Sequence, residues 1–189
     1  MSLPKILLLH GALGAASQFD QLKQELGIDY ELMAPDFPGH GGRLIPESPF
    51  SFSLFTTDVI RLLNEKQIGS IDIFGYSMGG YAALWMAKNF PNRVNRIFTL
   101  ATKMEWNEAV SKQEASMLDA EKMKEKIPAF AAMLERRHQP EDWVQVVKKT
   151  AEMMAGLALH HLKETEFRQI SHAVKIGIGN KDKIGRAHV

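Results

Sequence analysis

Cysteine is absent from all 189 residues. That excludes disulfides, thiolate metal centres and a cysteine nucleophile. An excess of charge of either sign is missing too. Lys and Arg number 23 against 22 Asp and Glu, for a formal net charge of +1. Such a balance supplies neither a nucleic-acid surface nor a polybasic membrane patch. No run approaches the ~20 apolar residues of a membrane span. The N-terminal apolar stretch Ile6-Leu7-Leu8-Leu9 is too brief for a signal-peptide core, and no small-residue cleavage site follows it. Internal repeats and low-complexity tracts are also missing. A cytoplasmic protein is expected, with no metal, cofactor, nucleic-acid or membrane partner; the oligomeric state stays open.

What is present is ordinary for a single globular domain: 45% hydrophobic and 24% charged residues. Apolar runs at Lys5–Leu9, Tyr30–Ala34, Ser70–Phe74, Val94–Leu100 and Val174–Ile178 read as buried strands. Between them lie helical patterns: Phe19, Leu22 and Leu26 ahead of Gly27, then Phe52, Phe55, Val59 and Leu62, then Tyr81–Phe90. Strands alternating with amphipathic helices predict βαβ units, hence an α/β fold with a mostly parallel sheet flanked by helices. Ligands in such sheets bind beyond the carboxyl ends of the strands. Residues 105–171 break the rhythm. They hold helical signals only, including a capping-box spacing at Ser111 and Glu114 and prolines at 128 and 140 suited to first turns. A helical insertion between the fourth and fifth strands is predicted.

The most specific motif is Gly75-Tyr76-Ser77-Met78-Gly79. It follows an apolar strand and opens a helix, the context in which G-x-S-x-G presents a serine on a sharp turn. The helix N-terminus directs N–H groups and a positive dipole end at the same spot. A serine hydroxyl is a weak nucleophile and needs a base, itself oriented by a carboxylate.

Together these features resemble the α/β-hydrolase superfamily over nearly all of residues 4–182. His10-Gly11-Ala12-Leu13-Gly14 resembles the family's HG-x loop. The resemblance implies oxyanion donors at the Ala12 N–H, with Leu13 as second choice, and at the Met78 N–H. His10, Gly11, Gly75 and Gly79 would support them, His10 as a buried structural histidine rather than the base. Asp36-Phe37-Pro38-Gly39-His40-Gly41 resembles the D-x-P-G-x-G turn, with Asp36 structural and His40 a loop residue. Residues 1–104 and 172–182 would form the hydrolase core, and 105–171 the helical cap. The family order of Ser, acid, His makes Asp182, in the turn Gly179-Asn180-Lys181-Asp182, the acid, with Glu105 the alternative.

The histidine expected after a further strand is missing. His138, His160, His161 and His172 precede the acid and read as solvated or locally bonded side chains. Ile184-Gly185-Arg186-Ala187-His188-Val189 resembles the in-frame translation of a sequencing adaptor, so residues 183–189 are set aside and C-terminal truncation is expected. The missing strand and helix should leave the Val174–Ile178 edge unpaired and apolar sheet uncovered.

Serine rather than aspartate at position 77 favours acyl transfer to water, so a carboxylesterase-like serine hydrolase acting on a small-molecule acyl substrate is the leading expectation, inactive here for want of its base. A lyase of the menaquinone-pathway type, which shares the run Gly75-Tyr76-Ser77-Met78-Gly79-Gly80, and a non-enzymatic binding protein are the alternatives. Arg43, Arg136 and Arg137 are the candidates for binding a substrate carboxylate in the lyase reading. Met117, Met123, Met133, Met153, Met154, Phe130, Trp143 and Phe167 either line the cap's pocket or pack its helices together.

Overall fold

The structure is a computed structural model that describes residues 3–180. Five strands form one sheet: β1 (Lys5–Leu9), β2 (Glu31–Met33), β3 (Ile71–Tyr76), β4 (Val94–Leu100) and β5 (Ala173–Gly177). The spatial order is β2-β1-β3-β4-β5, and every pairing is parallel. Leu7, Leu8 and Leu9 of β1, an interior strand, are all buried, as expected of an apolar run flanked by strands on both sides. Strand positions match the sequence reading within two residues, Glu31–Met33 of the expected Tyr30–Ala34 joining the ladder.

Chain order reverses beside β1. From β1 the chain runs outward through α1 (Asp20–Leu26) to β2, then returns through α2 (Phe52–Glu65) to β3 on the other side. The carboxyl ends of β1 and β3, paired at Leu9 and Gly75, therefore flank the crevice where such sheets bind ligands. Residues 16–19 form a 3-10 turn before α1, so Phe19 precedes that helix. Gly27 ends α1 at φ −64°, without the left-handed conformation that usually selects glycine there.

Ser51 caps α2, its hydroxyl accepting the Leu54 N–H at 3.1 Å, and the buried stripe Phe52, Phe55, Val59 and Leu63 joins the core, Phe52 meeting Tyr81 and Trp85 of the next helix. Helix α3 (Met78–Asn89) is buried on almost every side, as its uniform apolar composition demands.

Between β4 and β5 lie α4 (Glu108–Met117), α5 (Ala120–Lys126), α6 (Pro128–His138), α7 (Trp143–His160) and α8 (Glu164–Phe167). Pro128 opens α6 as predicted. The other two helix-start readings need correction. Asn107 caps α4 by accepting the Val110 N–H at 2.9 Å, and Ser111 lies buried inside that helix. Pro140 follows a cis peptide bond ahead of α7, whose cap is Asp142. In both helices a short polar side chain at the start, Asn107 or Asp142, accepts a first-turn N–H and fixes the boundary.

Among the described residues β5 is an edge strand, with Ile176 and Ile178 exposed. One face of the sheet carries an open groove of about 560 Å³ bordered by Ile6, Leu8, Phe74, Phe98 and Leu22 of α1. No helix of the structure is long and apolar enough to cross a membrane.

Candidate active site

Ser77 sits between the end of β3 and the first turn of α3, with φ 52° and ψ −116°. These angles are close to the first corner of a type II′ turn, where glycine dominates, so a serine there is strained. Both sides of its peptide unit are held from the neighbouring strand end. The Ser77 N–H donates to the Leu100 carbonyl at 2.8 Å, and Thr102 Oγ1 donates to the Ser77 carbonyl at 3.0 Å. Gly75 at the end of β3 lies against Gly80 of α3.

Gly75 and Gly79 sit where a side chain would meet backbone, and Gly11 sits where one would press on the Tyr76 ring. A methyl at Gly79 would lie 2.0 Å from the Leu9 carbonyl oxygen, so α3 starts directly against the end of β1. A methyl at Gly11 would lie 3.0 Å from the Tyr76 ring and 3.4 Å from Ser77 Cβ. The loop after β1 thus lies over the serine turn, and the predicted set His10, Gly11, Ala12, Gly75, Ser77, Met78 and Gly79 converges in space. The Ala12, Leu13 and Met78 N–H groups donate to no acceptor among the described residues. For Met78 this follows from its place in the first helical turn.

His10 is fully buried. Its Nε2 accepts the Phe37 N–H at 3.1 Å, which leaves Nδ1 to donate to the Gly11 carbonyl at 2.8 Å. Burial lowers its pKa to about 4, so the ring is a neutral strut. Asp36 plays the structural part expected of it, accepting the Ala16 N–H at 2.5 Å. Its carboxyl pKa is raised, chiefly by burial. His40, also fully buried, bonds the Pro38 carbonyl at 3.2 Å through Nδ1, while its Nε2 has no partner.

His138 corrects the reading of a solvated or locally bonded side chain. It is fully buried. Its Nδ1 accepts the Gly41 N–H at 3.2 Å, and its Nε2 donates to the Leu13 carbonyl at 3.2 Å. Arg137 Nη1 donates to the same carbonyl at 2.9 Å. The end of α6 thereby ties the loop after β1 to the loop after β2. The three buried rings adjoin, with centroids 5.2 Å apart for His10 and His40 and 5.7 Å for His40 and His138.

The cleft at Ser77 holds about 50 Å³. Phe52, Tyr81 and Trp106 wall one side, and Met153, Met154 and Leu157 of α7 the other. Its polar feature is an ion pair missed in the sequence, Lys103 Nζ to Glu114 Oε1 at 2.5 Å. The pair joins the end of β4 to α4, and no linear motif links residues 103 and 114. The arginine candidates do not border this cleft. Arg43 is bidentate to Asp58, Arg137 is spent on Leu13, and Arg136 is exposed. Of the apolar side chains of residues 105–171 named above, Met153 and Met154 border it, whereas Met123 and Trp143 are core and Met117 is exposed.

No histidine among the described residues bonds Ser77 Oγ. His161 bonds Leu157, His172 bonds Pro91, and His160 is exposed. Glu105 borders a neighbouring groove with Met104 and His161. Asp182 lies outside the described residues. No cluster of His, Asp or Glu among them could hold a metal ion.

Residues 4–123 match the family model described as alpha/beta hydrolase fold. The chain is 35% identical over 89 residues to 3-oxoadipate enol-lactonase 2 of Acinetobacter baylyi, covering 47% of this chain and 33% of that protein. It is 32% identical over 103 residues to a human serine hydrolase-like protein, covering 53% of this chain and 51% of that one. These matches span a third to a half of the curated relatives' length. A thermophilic esterase from Thermogutta terrifontis shares the fold at a TM-score of 0.72 and 17% identity, over 93% of this chain and 71% of that one. With its parallel sheet, serine turn and family match over residues 4–123, this chain belongs to the alpha/beta hydrolase fold family.

Proposed function

We propose that the protein is a serine hydrolase of carboxylic esters or related acyl compounds, with Ser77 as nucleophile. The observation that carries this reading is the strained Ser77 backbone, φ 52°, held at a helix N-terminus beneath a loop with unpaired N–H groups. Strain of this kind persists only where surrounding bonds enforce it, and Leu100 and Thr102 supply them. In the proposed reaction Ser77 Oγ attacks the substrate carbonyl carbon and gives its proton to a base. The oxyanion is received by the Met78 N–H and by that of Ala12, with Leu13 as the second choice. Each such donor is worth ~3 kcal/mol of barrier. Collapse expels the protonated alcohol, and water then releases the acyl group from Ser77. Residues 105–171 act as a cap, α7 closing the acyl side of the cleft. The enol-lactonase and esterase names of the relatives support an ester or lactone carbonyl as the target.

Asp182 is proposed as the acid. No histidine among the described residues bonds Ser77 Oγ, which supports the reading that residues 1–189 turn over little or no ester. Chemical rescue tests both halves of this reading. Without additive, p-nitrophenyl acetate hydrolysis by residues 1–189 is expected to equal that of Ser77→Ala. Added imidazole, supplying the base, is expected to accelerate labelling of the chain by a fluorophosphonate, with the adduct mapped to Ser77 by mass spectrometry. No imidazole-dependent adduct at Ser77 overturns the nucleophile. Ser77-dependent turnover without imidazole overturns the missing base.

A further inference from the structure

The cleft at Ser77, about 50 Å³, is too small for an acyl chain. Beside it lies a groove of about 400 Å³ between the start of α2, Trp85 of α3 and the last turns of α7. Phe52, Met153 and Leu157 border both spaces. The Phe52 and Trp85 rings stack at 5.9 Å to form its floor. Met153, unbranched and polarizable, is the side chain of the partition best able to rotate aside.

A glycine lies on the groove's rim. Gly156 is inside the 18-residue helix α7, where glycine costs stability. No packing constraint accounts for it: a methyl there would meet only the His160 ring, at 3.9 Å, an ordinary contact. Its φ lies outside the left-handed range. With no side chain at this position, the rim of the groove is open there.

We infer that this groove is a binding site for the apolar chain of an acyl substrate, a medium-length alkyl or aryl-alkyl group whose carbonyl end reaches Ser77 past Met153. The inference rests on the proposed role of Ser77 for the carbonyl end only; the groove itself is independent of that chemistry.

Trp85 reports occupancy, because a bromine in contact quenches indole emission. The larger groove on the opposite sheet face is bordered by no tryptophan. Titrating the full chain with 8-bromooctanoate is expected to quench emission saturably, and Trp85→Phe should remove most of that quench. Gly156→Leu, which fills the groove, is expected to weaken binding at least tenfold. Gly156→Ala should change it less than threefold while raising Tm, which separates filling from misfolding. Ser77→Ala should bind as the parent does. Unquenched emission, or equal affinity in Gly156→Leu, overturns the groove. Intact binding combined with failure of imidazole-rescued Ser77 labelling overturns the nucleophile and leaves the groove standing.

Discussion

At the residue scale the serine turn is a site of stored strain. Backbone held in such a region costs about 1–3 kcal/mol. Glycine adopts these angles freely, although it adds conformational entropy to the unfolded chain. Ser77→Gly is therefore expected to be more stable than the parent by about 1 kcal/mol in urea unfolding, and inert to fluorophosphonate. Ser77→Ala, which keeps the strain, should unfold near the parent midpoint. Equal midpoints for Gly and Ala would show that the turn is relaxed. The G-x-S-x-G spacing made this turn legible from the sequence, because its strand-to-helix geometry is written in five consecutive positions. Thr102, which fixes the serine's carbonyl from the far side of β4, carried no such signature. Its role comes from sheet register, which sequence periodicity specifies poorly at strand ends.

At the element scale the tie between α6 and the two loops rests on neutral histidines. Burial is the chief cause in each case: His10 and His138 are lowered to about 4, and His40 well below its ordinary value. Free in the unfolded chain, these rings take up protons near pH 6.5. Folded-state pKa values below the unfolded ones mean that the contribution is complete above pH 6.5. It is lost progressively as pH falls toward 4. For a ring lowered from 6.5 to about 4 the loss at pH 4 approaches ~3 kcal/mol. Urea midpoints should therefore drop steeply between pH 7 and 4.5. His40→Phe keeps a ring in place, removes an unpaired buried nitrogen and cannot take a proton. A shallower drop is expected for it; an unchanged slope would remove His40 from the account. Strands and helices of the core were legible as apolar periodicity. The tie was not, because His138 meets residues 97 and 125 positions away, and a lone histidine in a helix announces no such partner.

At the scale of the whole molecule, one sheet face is only partly covered. Phe98 is 38% exposed beside Phe74, with Lys175 lying over its ring. Apolar patches of this kind promote association. Sedimentation velocity is expected to show concentration-dependent self-association, and Phe98→Gln should reduce both it and anilinonaphthalene sulfonate binding. A monomer at all concentrations would contradict this. The alternation of strands and helices and the parallel sheet were legible because each βαβ unit states its own direction. How the helices after β4 meet the core was not, since the Lys103–Glu114 pair and the Leu162 N–H on the Tyr81 hydroxyl join residues with no sequence relation. The serine turn also shares the fate of the strand pair beneath it. Its amide proton is held by the last residue of β4, so opening the turn exposes the same strand end that closes the sheet there. Hydrogen exchange at the Ser77 amide is expected to be as slow as that of the β3–β4 ladder, and a much faster exchange would show that the turn opens independently of the strands.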